Sequence, residues 1–210
     1  MIVAHRRMPA CSARSASLRW ARQLALAGAL AAAPAVAEVT AGEMLGSGCT
    51  GCHGPDGISV GAAIPSIAGL DKIYLARVMV QFKNGERPST IMGRIASGYE
   101  DSELRTMAKH FGSLPWSAWR TPSDGTAIDM GRQIHDRICA ECHEREGQHQ
   151  DRDTPRIAGQ APEYLFTSLL QYRDPQSDMK LPQPSKMLDA LKPLTDEQLL
   201  ALSHYYASRP

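Results

Sequence analysis

The stretch GCTGCHGPDG, residues 48–57, sets Cys49 and Cys52 three positions apart with His53 directly behind the second. Taken alone it admits half of a zinc site, a disulfide, or the attachment point of a larger metal-bearing group. Ninety residues on, ICAECHEREG (residues 138–147) repeats the pattern with Cys139, Cys142 and His143. Both copies sit inside a longer internal repeat. At the same offset Met44 falls on Ile134, Pro65, Ile67, Ala68 and Gly69 fall on Pro155, Ile157, Ala158 and Gly159, and Tyr74-Leu75 fall on Tyr164-Leu165. Gln81-Phe82-Lys83 meet Gln171-Tyr172-Arg173 before a five-residue insertion moves the offset to 95. In that register Met92 lies over Met187, Asp101 over Asp196, Leu104 over Leu199 and Phe111 over Tyr206.

Ahead of the repeat, Arg6, Arg7, Arg14, Arg19 and Arg22 lead into LALAGALAAAPAVA, which ends on a small-x-small pattern before Glu38. This predicts a secretory signal peptide over 1–37, cleaved after Ala37. The apolar run of 14 residues is shorter than the ~20 of a membrane span, so no span is expected after cleavage. The leader carries five of the 23 basic residues and none of the 22 acids, so the formal charge moves from +1 to −4 on its removal. A mildly acidic exported protein is a poor nucleic-acid binder. In an oxidising compartment such as the periplasm, the remaining cysteines need something to claim them.

The repeat divides the mature chain into domains over 38–113 and 126–210, with the Pro-, Gly- and Ser-rich 114–125 as the connector. Leu104, Met107, Ala108 and Phe111 are spaced i, i+3, i+4, i+7, and Leu199, Leu202, Ser203 and Tyr206 repeat the spacing. Thr40-x-x-Glu43 and Thr195-x-x-Gln198 have the form of capping boxes. Tyr74–Phe82 and Tyr164–Tyr172 predict one further helix per half, and no run of alternating β-branched residues appears, so the fold class is all-α. Aromatic residues make up only 6 % of the chain, as expected where something other than side chains fills the core.

The repeat also decides among the readings of the motif. Paired Cys-x-x-Cys zinc sites lie about 15–20 residues apart in sequence, whereas 86 residues separate Cys52 from Cys139. A redox dithiol belongs beside a strand–helix pattern that is missing here. A structural disulfide leaves His53 and His143 as coincidences. Haem c uses all three residues: thioether bonds from Cys49 and Cys52, and from Cys139 and Cys142, with His53 and His143 delivered to one axial face of each iron. Two covalent haems are therefore expected.

For the opposite axial position the repeat singles out Met92 and Met187. A methionine at such a place is ordinarily core filler, but its recurrence across a five-residue insertion favours ligation; Met179 competes in the second half. Histidine–methionine ligation leaves no open position on the iron. A haem catalyst, the enzyme-class rival, would need one of these methionines not to bind. Pro65 and Pro155 lie 12 residues after each histidine, where a backbone carbonyl could fix the imidazole, or where the proline merely ends a loop. Tyr74, Phe82, Tyr164 and Tyr172 are expected to pack the haem pockets. His110, His135, His149 and His204 have no partner of the same type in the repeat and are expected at the surface.

The two Cys-x-x-Cys-His motifs, the Pro-x-Ile-Ala-Gly blocks and the paired methionines resemble the two-domain dihaem cytochromes c. EMLGSGCTGCHG, SVGAAIPSIAGLD and STIMGRIASGY most resemble the cytochrome subunit of flavocytochrome c sulfide dehydrogenase. The resemblance implies two tandem cytochrome c-like domains and a chain not catalytic alone. It would be the electron-transfer subunit of a periplasmic complex, taking electrons from an FAD-containing partner that oxidises sulfide and passing them to a soluble cytochrome c. The alternative is a free shuttle of the cytochrome c-four kind delivering electrons to a terminal oxidase.

Overall fold

Capping chemistry starts four of the nine helices named below. The computed structural model describes residues 38–119, 125–174 and 185–210; the predicted leader and Met179 lie outside them. Thr40 and Glu43 close a reciprocal capping box on α1 (Ala41–Gly46). The short α2 (Thr50–His53) carries the end of the first motif. Asp71 caps α3 (Lys72–Lys83) by accepting from the Ile73 and Tyr74 amides at 2.8 and 2.9 Å. A loop leads to α4 (Met92–Ala96), and Glu100 and Glu103 form the box that opens α5 (Asp101–Ser113). In the second half come α6 (Gly125–Ile134), α7 (Pro162–Arg173), α8 (Ser185–Leu191) and α9 (Asp196–Ala207), the last opened by the Thr195–Gln198 box. All of this secondary structure is helical, as the sequence predicts.

The two halves pack alike. In the first, α5 meets α1 and α3, and α3 meets α4; in the second, α9 meets α6 and α7, and α7 meets α8. Each half closes its core around the apolar stripe of its last helix. Leu104, Met107, Ala108 and Phe111 are at most 4 % exposed, and Leu199, Leu202, Ser203 and Tyr206 at most 2 %. Glycines fix the matching loops. Gly57 and Gly147 (φ +76° and +86°) each lie against an aromatic ring and an isoleucine, Phe111 and Ile67 or Tyr206 and Ile157, with no room for a Cβ. Their carbonyls accept from Ile67 and Ala68 in one half and from Ile157 and Ala158 in the other.

One element moves the register. Around Cys139 the offset is 90, yet the helix crossings show 89 before it: Gly42 lies against Thr106 and His110, and Gly131 against Ala201 and Tyr205. The extra residue is absorbed in a π-helical turn, His135–Cys139. The structural mate of buried Ile134 (2 % exposed) is thus Leu45 and not Met44, which is 63 % exposed. His135 accordingly takes the place of Gly46.

Val39–Pro210 form one packed unit. Gln160 spans the halves, accepting from the Ser66 amide at 2.7 Å and donating to the Ser66 carbonyl at 2.9 Å. Gln150 does the same for the Asp71 amide (3.0 Å) and the Gly69 carbonyl (2.9 Å). The Tyr164 amide donates to the Ala62 carbonyl at 3.0 Å. The first part of the connector is also packed: Trp116 covers Gly69, Ala118 covers Gly159, and the Arg156 guanidinium stacks 5.0 Å over the Trp116 ring.

Candidate functional site

In the first half a 3₁₀ turn (Ser47–Cys49) runs into α2, so that Cys49, Cys52 and His53 lie on consecutive helical turns. Cys49 is half-buried and Cys52 exposed, and burial raises the Cys49 thiol pKa, with the neighbouring Cys52 adding to it. His53 is 8 % exposed, and its Nδ1 lies 2.8 Å from the Pro65 carbonyl oxygen. A carbonyl only accepts, so Nδ1 carries the proton and Nε2 keeps its lone pair. Burial lowers the His53 pKa, against the opposing effect of that hydrogen bond. The ring is neutral at physiological pH and offers Nε2 as a metal donor.

The second half holds the same residues differently. Cys139 is half-buried with its pKa raised mainly by burial, and Cys142 is exposed. Burial, with the charges of His135 and His149, pushes His143 down to about 4. Its Nδ1 is buried without a partner, so of the two readings left open for Pro155 its carbonyl does not fix the imidazole. The cause lies one residue on. Gly54 takes φ +79°, ψ 170°, a conformation essentially confined to glycine, and a Cβ there would meet the Ile58 carbonyl oxygen at 1.9 Å. The repeat puts Glu144 at that place. The chain then turns through Arg145 and Glu146, both left-handed (φ 52° and 57°), and carries His143 to another setting.

Met92 opens α4 half-buried, and the next two residues, Gly93 and Arg94, line a cleft of about 430 Å³ between the end of α3 and α4. Met187 sits half-buried on α8 and packs against the core formed by Leu165, Leu191 and Leu199. Among the described residues no group of three or more His, Cys, Asp or Glu side chains converges to hold a metal ion. The donor set of each half suits a haem c: two thiols without a disulfide, one imidazole kept neutral by desolvation, and a soft thioether on a later helix.

Three residues escaped the sequence reading. His135, expected at the surface, is 3 % exposed and lies 2.9 Å from the Tyr206 hydroxyl through Nδ1. Gly46 in the first half sits against Phe111 at the equivalent place. His110, His149 and His204 are partly buried. Arg87 is 8 % exposed, with its guanidinium 5.5 Å over the Phe82 ring. Tyr74 is 9 % exposed while Phe82, Tyr164 and Tyr172 are half-buried, and Tyr74, Tyr164 and Tyr172 gather around Arg87. Gln160 is 2 % exposed in its grip on Ser66. The repeat could not reveal these residues, because none has a mate of its own type.

No family profile matches the chain. The cytochrome subunit of sulfide dehydrogenase from Chlorobaculum tepidum is 49 % identical over 86 residues, which are 40 % of this chain and 77 % of that one. The thiosulfate dehydrogenase electron acceptor of Stutzerimonas stutzeri is 26 % identical over 170 residues, covering 76 % of this chain and 78 % of its own. The crystal structure of reduced recombinant cytochrome c4 from Pseudomonas stutzeri superposes with a TM-score of 0.69 at 23 % identity, over 82 % of this chain and 99 % of that one.

Proposed function

Because the chain belongs to the dihaem cytochrome c family that takes in the cytochrome subunit of sulfide dehydrogenase, we propose that it is the periplasmic electron-accepting subunit of a sulfide dehydrogenase whose partner carries FAD. The observation that carries the reading is the doubled Cys-x-x-Cys-His motif, with His53 buried, His143 half-buried and both rings held neutral by desolvation. Cys49 and Cys52 would tether one haem, and Cys139 and Cys142 the other. His53 and Met92, and His143 and Met187, would occupy the axial positions. Bound haem c supplies reversible one-electron transfer. His53, His143 and the two methionines would hold it, and Gln150 and Gln160 link the two halves in one packed unit. With both axial positions filled, neither site would take up oxygen or peroxide. The exported chain would pass its electrons to a soluble cytochrome c.

A second reading, a freely diffusing dihaem carrier, is favoured by one observation. The sulfide dehydrogenase subunit matches 40 % of this chain, whereas the thiosulfate dehydrogenase electron acceptor matches 76 %. The test is co-purification from the native periplasm followed by a sulfide-dependent reduction assay. A flavoprotein that travels with the chain and reduces both haems on sulfide addition is the expected result. If no flavoprotein co-purifies and a supplied one gives no reduction, the chain is the free carrier.

A further inference from the structure

The second half buries two polar side chains that take no part in its donor set. His135 is 3 % exposed and Tyr206 2 % exposed, and His135 Nδ1 lies 2.9 Å from the Tyr206 hydroxyl. The two rings meet edge to face, with centroids 5.5 Å apart. The same hydroxyl is hydrogen-bonded with the Cys139 side chain. Burial raises the Tyr206 pKa well above its ordinary value, so the phenol keeps its proton. A buried hydroxyl or imidazole is costly unless its polar atoms find partners, and here each supplies one to the other.

The first half has nothing of the kind. Phe111, which carries no hydroxyl, stands at the place of Tyr206 in the cluster that Cys49 packs against, and Gly46 stands at the place of His135. What brings His135 inward is the π-helical turn His135–Cys139, which ends on the tethering cysteine itself; such turns recur at functional sites. A cysteine bonded to haem through its sulfur has no hydrogen to give and can act only as a weak acceptor. The hydroxyl has one proton to donate and lone pairs to receive another.

We infer that His135 and Tyr206 form a chain of two hydrogen bonds that ends on the Cys139 sulfur and sets the second haem apart from the first. His135 donates from Nδ1 to the hydroxyl oxygen, and Tyr206 donates its proton to the sulfur. His135 is the positioning residue, since it fixes which way the hydroxyl turns. A donor dipole aimed at the sulfur favours the reduced state of the group attached there, hydrogen bonding being one of the levers by which a protein sets a haem potential. The inference rests on the second half holding a covalent haem, and not on which dehydrogenase supplies the electrons.

Potentiometric titration of the purified dihaem protein at about pH 8, where a histidine is neutral, tests it. In Tyr206→Phe, which installs the ring that the first half already uses, one of the two midpoint potentials falls while the other stays in place. His135→Leu lowers the same potential. The double variant falls no further than Tyr206→Phe alone, because the imidazole acts through the hydroxyl. Both potentials staying in place in either single variant, with two haems bound per chain, overturns the inference, and so do two effects that add in full. Wild-type protein with fewer than two covalent haems would instead strike at the dihaem reading itself, which separates the two failures.

Discussion

At the residue scale, the settings of His53 and His143 differ because of the residue that follows each. Gly54 lets the chain leave the helix so that the Pro65 carbonyl meets Nδ1 of His53, whereas Glu144 forces another path and strands Nδ1 of His143. The methionines give a direct test of the axial assignment. In Met92→Ala, and separately in Met187→Ala, the methionine–iron charge-transfer absorption of the oxidised protein should fall to about half, with the remainder lost in the double variant, since each iron draws on one thioether. Intact absorption in either single variant removes that methionine from the ligand set. His135 gives a pH test. Burial lowers its pKa, against the smaller opposing effects of Asp136 and Glu146, so the unfolded chain, near 6.5, binds a proton that the folded one resists. Its contribution to stability is present above pH ~6.5 and is lost as pH falls below that value towards the lower folded pKa. Thermal unfolding of His135→Leu across pH 5–8 should show a shallower acid-side loss than wild type. Parallel curves would mean that the buried ring titrates alike in both states.

At the scale of elements, glycines set how closely the helices cross. A Cβ on Gly131 would meet the Ala201 carbonyl oxygen at 2.3 Å and Tyr205 Cβ at 2.6 Å. Gly131→Ala therefore has to push α6 off α9. It should lower unfolding free energy by roughly 1–3 kcal/mol, read from the denaturant midpoint, even though alanine is the better helix former. An unchanged or raised midpoint would show that the crossing gives way easily. The helices themselves were legible in the sequence: the stripes at Leu104–Phe111 and Leu199–Tyr206 are buried as their spacing requires, and both threonine capping boxes form. The π turn was not. Its extra residue leaves the Cys-x-x-Cys-His spacing intact and shifts only what precedes it, so Met44 looked like the mate of Ile134 and His135 like a surface residue. Arg87 was missed for a related reason: it follows the last matched triplet, Gln81-Phe82-Lys83, in the stretch where the repeat changes offset.

At the scale of the whole molecule, two side-chain amides are among the links between the halves, and Gln160 is the more deeply buried. Gln160→Ala leaves the amide and carbonyl of Ser66, itself 2 % exposed, without partners, at a cost of about 1–3 kcal/mol for each unsatisfied group. Hydrogen exchange at the Ser66 amide should accelerate while the amides of α5 and α9 keep their protection; unchanged exchange at Ser66 would show that the halves are held elsewhere. Joined in this way, the molecule is a relay with a donor set in each half, and the count of electrons it accepts is the most direct check on that account. A reductive titration of the mature protein, followed in the visible spectrum, should take up two electrons per chain in two separate one-electron steps, with no new band on adding carbon monoxide to the reduced form. One electron per chain, or a carbon monoxide complex at neutral pH, would contradict it.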